Sequence, residues 1–238
     1  MKENIIQWIR DWFETQSNNA DGIVIGISGG KDSTVVAKLC VEAIGKENVL
    51  GVLMPNGDQK DIKDSFKVCE LLGIKSEIIN IKDTEQTLLQ ELFNNYITPS
   101  REAIINVAPR LRMITLYTIA QTKNYRVAGT GNATEKVLGY FTKWGDGAHD
   151  FNPIGMLTCT QVIELGRELG LPEELITKTP SDGLTGKTDE EQFGYTYAEI
   201  DYVIENELEE GEVFEFINNL YNKNLHKLLP IPTYGYDD

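Results

Sequence analysis

The stretch Gly26-Ile27-Ser28-Gly29-Gly30-Lys31-Asp32-Ser33 constrains this chain more than any other part of it. It follows the apolar run Ile23-Val24-Ile25, which reads as a buried parallel strand, and leads into Thr34, Val35, Val36, Ala37 and Leu39, which read as a helix. A strand, a glycine loop and a helix in that order make an anion site. The first N–H groups of a helix lack internal partners and point into the loop. Gly29 and Gly30 are both expected to take backbone angles closed to other residues, and the hydroxyls of Ser28 and Ser33 add donors.

The P-loop, Gly-x-x-x-x-Gly-Lys-Ser/Thr, does not fit. Gly26 is followed by three residues before Gly30, and Gly30-Lys31 is followed by Asp32. An acidic side chain in an anion cradle repels phosphate unless a cation lies between them, so Asp32 is expected to hold a phosphate-bound Mg²⁺. Ser28-Gly29-Gly30-Lys31-Asp32-Ser33 resembles the Ser-Gly-Gly-x-Asp-Ser signature of the ATP pyrophosphatases, which cleave ATP to AMP and pyrophosphate.

At 238 residues, 41% hydrophobic and 25% charged, the sequence suits a single globular domain with a sizeable core. Its three cysteines, Cys40, Cys69 and Cys159, are odd in number and far apart, which supports neither a disulfide framework nor a Cys-x-x-Cys zinc site and points to a reducing cytoplasm. No apolar run approaches membrane-spanning length, and the charged, amphipathic first residues are unlike a signal peptide. A net charge of −15 argues against a nucleic-acid surface, which needs clustered Lys and Arg.

Taken in order, Ile5, Ile9, Trp12 and Phe13 recur at helical spacing near the start. Val49 to Met54 reads as a second strand closed by the turn Pro55 to Asp58, followed by a helix around Lys60 to Leu72 and a strand around Glu77 to Ile81. Thr84 to Tyr96 reads as helix, as does a segment from Pro109 to about Lys123. That second helix is apolar nearly all round, which predicts burial in the core or against a second subunit. Tyr125 to Ala128 reads as a short strand ending in Gly129-Thr130-Gly131-Asn132. This alternation predicts an α/β fold, an open parallel sheet with helices on both faces and ligands at the strands' carboxyl ends.

Tyr140 to Asp150 is too irregular for core and too aromatic for a linker, so it reads as a structured binding loop. A helix from Thr160 to Leu169 follows, and Lys178 to Lys187 has the composition of a mobile cover. From Thr188 to Asn222 no Lys or Arg occurs, which reads as a solvated acidic helical face. No repeat or domain boundary is apparent.

From the glycine loop onward the sequence resembles the ammonia-dependent NAD synthetases, and Gly129-Thr130 through Asp150 carries the specific part of that likeness. The resemblance implies that ATP adenylates the carboxylate of nicotinic acid adenine dinucleotide, pyrophosphate leaves, and ammonia displaces AMP. It implies ATP contacts at Ser28, Gly29, Gly30, Lys31, Asp32, Ser33, Thr130 and Ser181, and Mg²⁺ held by Asp32 and Glu135. It implies dinucleotide contacts at Arg110, Lys143, Asp150, His226 and Lys227, and a homodimer. The length leaves no room for a glutaminase domain, so ammonia is expected to come free or from a separate protein. One departure is Cys159, an ATP-binding position where the family usually carries Lys; Lys31, Lys178 or Lys187 could supply that cation. Lys178 is therefore grouped with Asp32 and Glu135 as a catalytic candidate.

Two other functions compete. Transfer of sulfur to tRNA shares the signature but calls for cysteine pairs or a basic RNA-binding face, and neither is visible. A non-catalytic nucleotide-binding module would not require two metal-ligand positions. Neither His149 nor His226 has a sequence context that marks it as a general base.

Overall fold

The computed structural model describes residues 1–59, 62–178 and 188–235. Four parallel strands form one sheet in the order β3-β2-β1-β4, with β1 at Gly22–Gly26, β2 at Val49–Leu53, β3 at Lys75–Ile78 and β4 at Tyr125–Val127. Side chains on successive strand residues point to opposite faces, and the sheet sorts them accordingly. Ile23 and Ile25 of β1, with Val49 and Leu53 of β2, enter one core, whereas Val24, Leu50 and Val52 enter the other.

The first core is closed by α1 (Lys2–Gln16), α2 (Lys31–Ile44), α3 (Ile62–Leu72), α8 (Cys159–Glu168) and α9 (Glu173–Ile176). The second is closed mainly by α6 (Val107–Lys123), behind which runs α4 (Lys82–Asn94). A five-residue helix, α5 (Arg101–Ile105), precedes α6, started by the Ser100 hydroxyl accepting from the Ala103 N–H at 3.2 Å. A third small cluster of Leu138, Ile200, Val203 and Ile217 joins α7 (Ala133–Leu138), α11 (Tyr197–Glu205) and α12 (Glu212–Leu228); α10 is Asp189–Phe193.

The parallel two-faced sheet expected from the sequence is present, with three local differences. β3 lies earlier than Glu77 to Ile81 because an edge strand is defined by backbone pairing, here Leu50 against Lys75 through Leu53 against Ile78, and all four of its residues are exposed. The Ile79 and Ile81 N–H groups still donate onward to Leu53 O and Pro55 O. α6 is not buried within the chain: only Ala120 is, and Ile114 is 54% exposed, because the helix covers the sheet with one side and leaves the other open. The acidic stretch after residue 188 is helical, but Asp189 and Asp201 are buried, not solvated.

β1 pairs with β2 on one side and β4 on the other, so the chain's connections run in opposite directions from this point. A crevice opens where a doubly wound sheet reverses in this way, outside the strands' carboxyl ends. The glycine loop leaves β1 there, and Gly129 to Asn132 leaves β4 beside it.

Candidate active site

Gly29 has φ +80°, and a Cβ on it would lie 2.8 Å from both Asp64 Cβ and Ser65 N of α3. Two constraints therefore demand glycine at this position. Gly30, contrary to expectation, is in ordinary extended conformation (φ −86°, ψ 168°) as the residue preceding α2. The loop braces itself with hydroxyls. The Gly30 N–H donates to Ser28 Oγ at 3.2 Å, the Ser28 and Ser33 hydroxyls lie 3.1 Å apart, and Ser33 Oγ donates to Gly30 O at 3.2 Å. Ser33 is buried, so Ser28 is the hydroxyl that faces outward.

Asn132 joins the two loops across the crevice. Its side-chain N–H donates to Asp32 Oδ1 at 3.0 Å, while its Oδ1 accepts from the Glu135 N–H at 3.0 Å. Glu135 Oε2 in turn accepts from the Asn132 N–H at 3.0 Å, completing a capping box at the start of α7. One side chain thus orients both acidic candidates. Burial, and then the nearby negative charge of Asp32, push the Glu135 carboxyl well above the usual range, so these two groups resist being ionised together. Such a pair suits a divalent cation. Among the described residues no group of three or more His, Cys, Asp or Glu could hold a metal, so an ion bound here would complete its shell with water and phosphate oxygens, as Mg²⁺ commonly does. In that role Asp32 and Glu135 would hold Mg²⁺, which would offset charge on the polyphosphate.

Lys31, only 4% exposed, places its ammonium 2.9 Å from Asp32 Oδ2 and 5.6 Å from the Tyr197 ring centre. Its charge also acts on the nearby Cys159 thiol. Burial, the largest influence, would lower the pKa of Lys31, but the surrounding negative charge, Asp32 first and Glu135 among it, together with the hydrogen bond to Asp32 outweighs this and keeps the ammonium protonated. Burial pushes the Cys159 thiol up to about 12 despite Lys31, so it is a neutral group. Of the other cations considered for this position, Lys178 pairs with Asp64 at 2.6 Å, behind the glycine loop, and Lys187 lies outside the described residues.

A carboxylate that the sequence gave no means of singling out supports this arrangement. Asp201 of α11, 1% exposed, accepts from Thr134 Oγ1 at 2.5 Å, from the Thr160 N–H at 2.7 Å and from Thr160 Oγ1 at 2.7 Å. It thereby ties the start of α7, which carries Glu135, to the start of α8, which carries Cys159. Asn132 was more legible, since Asn-x-x-Glu before an apolar run is a helix-start pattern.

The residues expected to hold the dinucleotide form two groups. Arg110 Nε donates to Lys143 O at 3.4 Å, Lys143 Nζ donates to the backbone oxygen of His226, and Lys227 Nζ donates to Gly139 O and Phe141 O at 2.7 and 2.9 Å. The loop after α7, the start of α6 and the end of α12 therefore meet in one basic corner. Asp150 stands apart from it, accepting from the Val127 N–H at 2.8 Å and the Tyr117 hydroxyl at 3.3 Å, on the rim of a hollow of about 470 Å³ beside α6. Thr130 lies in the turn after β4. His149 packs over Gly129 with a buried Nδ1 that has no hydrogen-bond partner; burial lowers its pKa and favours the neutral ring. Ser181 and the rest of the proposed cover from 179 to 187 lie outside the described residues.

This geometry can be set beside known proteins. The chain is 43% identical over 228 residues to the NH3-dependent NAD+ synthetase of Carboxydothermus hydrogenoformans, covering 94% of this chain and 93% of that protein. It is 42% identical over 203 residues to the enzyme of the same name from Pyrococcus horikoshii, covering 85% and 77% of the two chains. Among solved structures, an NMN synthetase from Francisella tularensis superposes with a TM-score of 0.88 at 35% identity over 99% of each chain. An NH3-dependent NAD synthetase from Campylobacter jejuni superposes with a TM-score of 0.79 at 29% identity over 98% of this chain and 97% of that one. The family model for NAD synthase matches residues 1–230. By sequence and fold, the chain belongs to the NAD synthase family.

Proposed function

We propose that the chain is an ATP-dependent ligase that converts the nicotinate carboxylate of nicotinic acid adenine dinucleotide to the amide with ammonia, forming NAD, AMP and pyrophosphate. The observation that carries this reading is the pair of carboxylates, Asp32 and Glu135, joined through Asn132 beside an anion-binding glycine loop. A carboxylate must receive a good leaving group before ammonia can displace anything from it. One carboxylate oxygen attacks the α-phosphorus, the bond to the β-phosphate oxygen breaks, and pyrophosphate leaves. Ammonia then adds to the acyl carbon, AMP departs with that oxygen, and the nitrogen loses its extra protons to solvent or a base.

In this reading the Gly29-Gly30 loop, braced by the buried Ser33, and Ser28 hold polyphosphate, with Thr130, Lys31 and Ser181 completing the ATP site. Asp32 and Glu135 hold Mg²⁺. The corner of Arg110, Lys143, His226 and Lys227 receives the anionic substrate, and Asp150 contacts it separately. The enzyme works as a homodimer, which would cover the open side of α6 and the exposed Leu88 and Phe93 of α4. Three free, buried cysteines suit a reducing cytoplasm.

A second substrate merits testing because the likeness to the Francisella NMN synthetase, with a TM-score of 0.88, exceeds that to the Campylobacter enzyme at 0.79. The same chemistry would then amidate nicotinic acid mononucleotide. Measuring kcat/KM for dinucleotide and mononucleotide at fixed ATP, Mg²⁺ and ammonium decides between them. Preference for the dinucleotide supports the first reading, preference for the mononucleotide supports the second, and no amide from either refutes both.

A further inference from the structure

Lys31 is an expensive residue to keep where it is. A cation at the first turn of a helix opposes the helix dipole, and a buried ammonium forfeits its hydration. Lys31 meets both costs at the start of α2, with 4% of its surface exposed. Its partners do not use it fully: an ammonium has three protons, and this one faces a single carboxylate oxygen at 2.9 Å and the face of Tyr197 at 5.6 Å. Tyr197 is fixed in turn, because its hydroxyl donates to Asp189 at 3.1 Å. The ammonium is therefore held from its apolar side while its charge is aimed at the junction between the glycine loop and the Asp32–Glu135 pair.

We propose that Lys31 is an exchange cation: it competes with the divalent ion for Asp32, and when the ion takes that carboxylate, the Lys31 ammonium passes to an oxygen of the bound polyphosphate. The inference rests on Asp32 and Glu135 as metal ligands. The exchange requires no large movement, since Asp32 Oδ1 stays oriented by Asn132 while Oδ2 changes partner.

The test measures binding, not turnover, with Mn²⁺ as the probe ion followed by its paramagnetic resonance. In wild type, Mn²⁺ alone binds, and Asp32→Asn weakens it. Absence of that difference refutes the metal reading and the proposal with it. If the difference is present, Lys31→Met separates the inference from the reading. Removing a competing charge tightens Mn²⁺ alone about tenfold, whereas the complex of Mn²⁺ with a non-hydrolysable ATP analogue weakens about tenfold for loss of its phosphate partner. Opposite signs are the signature. A residue that only supports the fold would weaken both, and either that result or no change in Mn²⁺ affinity overturns the proposal. Lys31→Gln, which keeps a polar head on a shorter stem, repeats the measurement if the methionine variant does not fold.

Discussion

Glu135 and Asp32 concentrate the site's electrostatics into two side chains that differ in what they surrender. Asp32→Asn and Glu135→Gln keep shape while removing charge, so each should lower kcat by about 10²- to 10³-fold, as for loss of one transition-state stabiliser, without unfolding the protein. Steady-state kinetics with a circular-dichroism melt check both halves of that statement. The raised pKa of Glu135 has two further consequences. Because the ionised form binds metal, the Mg²⁺ concentration for half-maximal rate should fall as pH rises through neutrality. Without metal the folded protein holds a proton that the unfolded chain releases, so this group's contribution to stability falls as pH rises above about 4.3, the ordinary glutamate value. Glu135→Gln should flatten that part of the stability curve, and denaturant titrations across pH would reveal a wrong sign. Gly29 was legible from its place in the motif, and Gly29→Ala tests it. The substitution puts a side chain at φ +80° and 2.8 Å from α3, so a loss of about 1–3 kcal/mol is expected, with more if α3 is displaced.

The helices that set the two carboxylates were partly readable and partly not. Asn132 and Glu135 lie three residues apart, a spacing that marks a helix start, but the Asn132 amide reaching back 100 residues to Asp32 is a tertiary fact with no local trace. Asp201 illustrates the harder case. It stands in an acidic, helically spaced segment where solvated faces are common, and only the packing of α11 against α7 and α8 reveals that its carboxylate is buried among three donors. Asp201→Asn turns an amide N–H₂ toward groups that also donate, so it should cost about 2–3 kcal/mol in an unfolding titration. It should also raise the Mg²⁺ requirement, since Glu135 sits one residue beyond Thr134. A variant with lowered stability but an unchanged Mg²⁺ dependence would confine Asp201 to a structural role. β3 was misplaced for a related reason: side-chain pattern identifies buried strands, whereas an edge strand with four exposed residues is fixed by its backbone partner.

For the molecule as a whole, the order strand, glycine loop, helix and the alternation after it were enough to specify a parallel sheet, because burial on both faces leaves long apolar runs in β1 and β2. The sequence also showed α6 to be apolar nearly all round, but could not say that the chain itself covers only one side. That open side suits the proposed homodimer, for which Ile114→Glu should shift sedimentation toward the monomer. The central claim is that the nicotinate carboxylate attacks ATP at the α-phosphorus and that ammonia then displaces AMP. The most direct measurement labels that carboxylate with ¹⁸O and follows the label by mass spectrometry during a reaction with ATP, Mg²⁺ and ammonium. The account predicts one labelled oxygen in the phosphate of AMP for each amide formed, with pyrophosphate unlabelled. Label in inorganic phosphate accompanied by ADP, or amide formed with unlabelled AMP, would contradict it.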